Sequence, residues 1–181
     1  MNLEELSGRL KGALTEFIDK RFKLLMQDVH EDAISDEFIH YLRRHFDNFP
    51  YSINHNYDKR VVNDTIVKKK TAFLLAELPE HKIPKGADLN QENILKEILP
   101  DIIFHDIESP NHNLLMVEIK KSTNKNANDR DWDILKLKKA TTGDLHYTYS
   151  AFIDFTSGTE FNTKFPYKLE IFEAGQLVFE E

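Results

Sequence analysis

From Pro100 to Ser122 the chain reads PDIIFHDIESPNHNLLMVEIKKS, and no other stretch restricts the fold as tightly. Two mostly apolar runs, Asp101–His105 and Leu114–Ile119, flank Glu108-Ser-Pro-Asn-His-Asn113. A turn-rich segment between two short apolar runs is the pattern of a β-hairpin. Three charged residues sit where a buried strand should avoid them: Asp101 at the start of the first run, Glu118 and Lys120 near the end of the second. Strand side chains alternate faces, so Glu118 and Lys120 point one way while Val117 and Ile119 point the other. A hairpin folded near Pro110 sets Asp101 across from Glu118 or Lys120, and either register brings all three to one face.

Two carboxylates held a few ångströms apart repel, and a divalent cation relieves the repulsion. Mg²⁺ (or Mn²⁺) takes one or two carboxylates together with waters and phosphate oxygens, which suits an open site built from Asp101 and Glu118. The backbone carbonyl of Ile119, between the charged residues, is a further candidate ligand. Lys120 would orient or deprotonate an attacking water, or stabilise negative charge developing on a phosphate. The competing reading is structural: Asp101 caps the strand entrance, and Glu118 and Lys120 form an edge charge pair.

Pro100-Asp101 followed by Glu118-Ile119-Lys120 resembles the PD-(D/E)XK motif of the restriction-endonuclease-like nuclease superfamily. More narrowly, the chain is similar to small bacterial proteins of that superfamily over Glu31–Phe46, Ile53–Arg60, Pro100–His105, Asn113–Ser122, Asp133–Leu137 and Tyr147–Phe155. The resemblance implies an α/β fold with a central mixed β-sheet flanked by helices, and a metal site. It also implies that Glu31, opening a helix, adds an acidic group near the metal. Lys136, in an Asp-x-x-Lys-Leu pattern, would bind phosphate or orient Glu118. Each has a structural counterpart: a first-turn glutamate complements the helix dipole, and a surface lysine pairs with Asp133. Asn56 stands where the family carries a glutamate, which puts that position's role in doubt.

The 181 residues suit one nuclease-like domain over 1–181, with 1–27 an N-terminal amphipathic helix. No apolar run is long enough to span a membrane and the N-terminus lacks a signal-peptide pattern, so a cytoplasmic location is expected. With no cysteine, disulfides, thiolate metal sites and cysteine nucleophiles are excluded. The net charge of −7 runs against a long nucleic-acid footprint, although lysines cluster locally at Lys68–Lys70, Lys120-Lys121 and Lys136–Lys139.

Along the chain, Leu3 to Gln27 and Glu31–Phe46 show helical spacing. The first of these reads as a packing helix, or one that recruits a second copy or a protein partner. Pro50–Arg60 alternates as a strand, with His55 on its packed face and Arg60 a candidate phosphate contact. Val61–Leu78 reads as a second strand or ribbon with Lys68–Lys70 solvated at its edge, Pro79–Leu89 as a loop, and Asn90–Leu99 as a short helix. Asp129–Thr141 reads as a helix, Tyr147–Phe155 as a buried strand, and the stretch from Tyr167 to Phe179 as a terminal hairpin about Glu173-Ala-Gly175.

The expected function is metal-dependent hydrolysis of phosphodiester bonds, with DNA the expected substrate. Asp101 and Glu118 would be the metal ligands, Lys120 the water-positioning group, and Glu31 and Lys136 in support. The alternative is a catalytically inactive nuclease-fold protein acting as a binding or regulatory subunit. An RNA substrate is not separable by sequence, since no base-reading module is visible.

Overall fold

The two apolar runs at Asp101–His105 and Leu114–Ile119 lie in the middle of a six-stranded sheet. The structure is a computed structural model. It describes residues 1–57, 59–62, 65–88, 90–106 and 112–181, with the backbone alone for 59–62 and 65–67. The turn expected at Pro110 and the phosphate contact expected of Arg60 lie outside the described residues and side chains.

The chain opens with helices α1 (Leu3–Met26) and α2 (Glu31–His45). Strand β1 (Ser52–His55) is followed by two small ribbons. One pairs β2 (Lys59–Val62) with β3 (Thr65–Lys68), and the other pairs β4 (Lys70–Leu74) with β5 (Asn93–Glu97). Then come β6 (Ile102–His105), β7 (Asn113–Lys121), helix α3 (Ala127–Thr142), β8 (Tyr147–Phe155), β9 (Tyr167–Glu173) and β10 (Gln176–Glu180). The main sheet runs β1-β6-β7-β8-β9-β10. Only β7 and β8, joined through α3, are parallel, so the sheet is mixed and the fold α/β.

Both faces of the sheet are covered, which explains why β7 is apolar almost throughout. Leu115, Val117 and Ile119 pack with α1 and α2, together with Ile102, Phe104 and Phe155. Met116 faces the opposite cluster with Ile103, Phe152, and Trp132, Leu137 and Ala140 of α3. Asn2 caps α1 by accepting the Glu5 N–H at 2.9 Å. Its apolar stripe, Leu6, Leu10, Ala13, Leu14, Phe17 and Leu25, is spent on the chain's own core, leaving Phe22 and Met26 exposed. Gly12 permits close approach of the two helices: a Cβ there would sit 2.8 Å from the His45 ring. No helix among the described residues is long and apolar enough to cross a membrane.

Three sequence expectations are corrected. The segment Asn90–Leu99 is not a helix. Its core, β5, pairs antiparallel with β4 from Lys70↔Glu97 to Leu74↔Asn93. Ile94 is buried while Leu95 is 61% exposed, a two-residue alternation that packing against β4 selects over the helical propensity of Leu, Lys and Glu. The strand read through Arg60 stops at His55, because Asn56 takes a left-handed backbone (φ 49°) and turns the chain. Lys69 is not a solvated edge residue. It is buried, its ammonium donating to the Tyr57 carbonyl at 3.1 Å and lying 4.8 Å from the centre of the Tyr57 ring. Lys68 does reach outward, to Glu97 at 2.7 Å.

Candidate active site

The β6–β7 register pairs Ile102 with Val117, which sets Asp101, just before β6, opposite Glu118. Asp101 is fixed twice. Its Oδ2 accepts the Ile119 N–H at 2.6 Å, and its backbone carbonyl accepts the Asn56 N–H at 2.9 Å. A strand residue points its N–H and C=O to the same side, so the Ile119 carbonyl faces the same edge as the Asp101 carboxylate. The turn at Asn56 thus gives that position a backbone role in holding Asp101.

Glu118 and Lys120 share the α3 face of β7, and α3 brings two further charges to them. Lys136 Nζ lies 2.7 Å from Glu118 Oε1 and 2.7 Å from Asp133 Oδ1. Asp133 Oδ2 lies 2.7 Å from Lys120 Nζ, outside hydrogen-bond geometry, so that contact is charge on charge. Glu31, the first residue of α2, reaches the end of β7 from the other layer. Its carboxylate is 3.4 Å from Lys120 Nζ and accepts from the Lys121 N–H at 3.3 Å and from Asn124 Nδ2 at 3.2 Å. Beside it opens a cleft of about 320 Å³ lined by Asp28, His30, Glu31, Lys121, Thr123 and Asn124.

The cluster is deep: Glu118 is 2% exposed, Asp133 4% and Lys136 6%. It joins four carboxylates, Glu31, Asp101, Glu118 and Asp133, to two ammonium groups, Lys120 and Lys136. With all six ionised, two negative charges are left over. Burial pushes the Asp101 carboxyl above its ordinary value despite the Ile119 N–H and both lysines. Burial also pushes Glu118 up, to about 8, with Lys136 opposing and Asp101 and Asp133 reinforcing. Burial alone would lower the two lysines. Asp133 and Glu31 override it at Lys120, and Glu118 and Asp133 override it at Lys136, so both ammonium groups are held above the usual lysine value. Carboxyls and lysines rise together because the cluster is buried and short of positive charge.

Asp101, Glu118, Ile119, Lys120, Glu31 and Lys136 therefore meet at one end of the sheet. Lys136 is not the helix-surface lysine of the structural reading; it is buried between Glu118 and Asp133. His55 lies instead against α2, its Nδ1 3.7 Å from Asp36. Asp133, read from sequence only as a partner for Lys136, is a full member of the cluster. Its signal was legible: Trp132, Asp133, Lys136, Leu137 and Ala140 form the buried stripe of α3, and two of those positions are charged.

Among the described residues, no group of three or more His, Cys, Asp or Glu side chains is arranged to hold a metal ion. Any cation here would rest on two carboxylates, a carbonyl and water. Compared with known proteins, the chain matches no family model, no curated protein and no solved structure.

Proposed function

We propose that this chain is a metal-dependent nuclease of restriction-endonuclease-like build, hydrolysing phosphodiester bonds with DNA as substrate. One observation carries the reading. The hairpin register sets Asp101 opposite Glu118, with Lys120 next on the same face, in a cluster with excess negative charge whose centre is buried. Folding gains nothing from such a cluster that apolar side chains would not supply better, which points to chemistry.

The donor set fits a divalent cation. Burial pushes Asp101 and Glu118 toward protonation even with lysines beside them, so a further positive charge would stabilise their ionised forms. They would hold Mg²⁺ or Mn²⁺ with the Ile119 carbonyl, two carboxylates being a set Mg²⁺ accepts. A bound ion would supply positive charge to a phosphoryl oxygen and acidify a water.

The remaining work belongs to the chain's own groups. Lys120, held protonated by Asp133 and Glu31, acts as a hydrogen-bond donor and fixed positive charge for the reacting phosphate. Lys136 fixes the Glu118 carboxylate through the 2.7 Å contact, and Glu31 steadies Lys120 from the α2 side.

Nicking and linearisation of supercoiled plasmid with Mn²⁺ and then Mg²⁺ tests this reading, comparing wild type with Asp101→Ala and Lys120→Ala. Cleavage by wild type alone is the expected result. Equal cleavage by all three marks a contaminant, and none by any sinks the enzyme for this substrate. A second reading, an inactive nuclease-fold protein serving as a binding subunit, draws on the pairing of Glu118 with Lys136 at 2% exposure of the glutamate. Calorimetric titration with Mn²⁺ separates the two: binding that Glu118→Gln abolishes favours the enzyme.

A further inference from the structure

We infer that Asp133 is the positioning residue of this site: one carboxylate that aims Lys120 at the reacting phosphate while keeping Lys136 on Glu118. The inference rests on the nuclease reading. Each oxygen of Asp133 has its own ammonium, Oδ2 to Lys120 and Oδ1 to Lys136, both at 2.7 Å. With Lys136 on Glu118 at 2.7 Å, the four groups form a continuous chain of alternating charge, Lys120–Asp133–Lys136–Glu118.

The backbone that carries Asp133 is pinned on either side. Three residues before it, Arg130 grips Asp154 of β8 with two contacts, 2.6 and 3.1 Å, and donates to the carbonyls of Lys121 at 2.7 Å and Asn124 at 3.1 Å. Four residues after it, the Leu137 carbonyl accepts the buried Ser150 hydroxyl at 2.8 Å. Asp154 is also the β8 partner of Lys120 in the parallel ladder, so the Arg130 clamp references α3 to the strand position that carries the lysine. Asp133 is thereby held in fixed register with both β7 and β8.

A lysine has a long flexible stem that loses rotamer freedom when it is aimed, so it needs a rigid counter-charge. Lys120 has two, on opposite sides: Asp133 at 2.7 Å and Glu31 at 3.4 Å. Without the Asp133 charge, the pull of Glu31 is unopposed and draws the ammonium toward α2. A displacement of about 1 Å costs on the order of 100-fold in rate. A leucine at position 133 would serve the apolar stripe of α3 better, so packing does not account for this residue.

The test uses the full chain with Asp133→Asn, which keeps the shape and removes the charge, and Asp133→Glu, which keeps the charge. Plasmid nicking with Mn²⁺ gives kcat and KM, calorimetry gives Mn²⁺ affinity, and NMR of ¹⁵N-lysine reads the ammonium groups. Signals are assigned with Lys120→Met and Lys136→Met. For Asp133→Asn, kcat should fall on the order of 100-fold with KM within about twofold, Mn²⁺ affinity should change through the released Lys136–Glu118 pair, and both slowly exchanging ammonium signals should shift or vanish. Asp133→Glu should recover part of the loss. Unchanged kcat in Asp133→Asn, or a loss that appears only in KM or in thermal stability, overturns the inference while leaving the nuclease standing. If wild type itself is inactive, the nuclease reading falls and the ammonium signals decide whether Asp133 holds the lysines. Unchanged signals in folded Asp133→Asn would overturn that as well.

Discussion

Glu118 shows what one residue can give up for a site. Its carboxyl lies at the centre of a buried cluster with more acid than base, and its tendency to stay protonated is a stability statement. The folded value, about 8, exceeds the ordinary 4.5, so the folded chain binds a proton more tightly than the unfolded chain between those limits. That contribution is fully present below about 4.5 and is lost as pH rises through 8. In the metal-free chain, the melting temperature should therefore fall from pH 5 toward pH 8. Glu118→Gln, still able to accept from Lys136, should flatten the fall and melt no lower than wild type at pH 8. A large loss of stability in the variant, measured by calorimetry, would mean that the charged pair holds the fold together.

At the scale of elements, the informative case is β5. Its Leu, Lys and Glu favour a helix taken alone, and Lys70 and Glu97, 3.4 Å apart across the ribbon, give the strand a partner that local preference does not anticipate. Leu95→Thr exchanges an exposed helix-forming residue for an exposed strand-forming one. In a strand this should stabilise by a few tenths of a kcal/mol, up to about 1. Thermal denaturation decides the matter, since a drop of similar size would fit a helix over 93–97. The β6–β7 pair is the opposite case. There the apolar runs and the face alternation of Glu118 and Lys120 were legible from composition alone, because a two-residue period needs no long-range information. Which residue Asp101 faces was left between two registers, and the pairing of Ile102 with Val117 selects Glu118.

The whole molecule carries −7, and the cations nearest the cluster are already committed: Lys120 and Lys136 to carboxylates, Arg130 to Asp154, Lys121 to Asp28. Among the described residues, a nucleic acid therefore meets few unpaired positive charges around the site. The salt dependence of binding to a DNA duplex, measured by fluorescence anisotropy with Ca²⁺ in place of Mg²⁺, should be shallow, with a slope of log affinity against log salt no steeper than about −3. A slope near −10 would require a long basic footprint and would move the binding face away from this cluster.

The chain's local pattern was enough to name the helices α1, α2 and α3, the strands β6 to β10, and the charged residues of the hairpin, because helix and strand periods and face alternation are properties of neighbouring positions. It did not reveal that Asp133 bridges two lysines, that Lys69 and Lys136 are buried, or that Asn56 turns the chain to hold Asp101. Those facts depend on which elements meet: α3 folding back over the β7–β8 pair, Tyr57 lying beside Lys69, and α2 delivering Glu31 around the end of β7. A charge in a one-dimensional pattern looks solvated until a second element removes the water. The energetics of this site come from that removal.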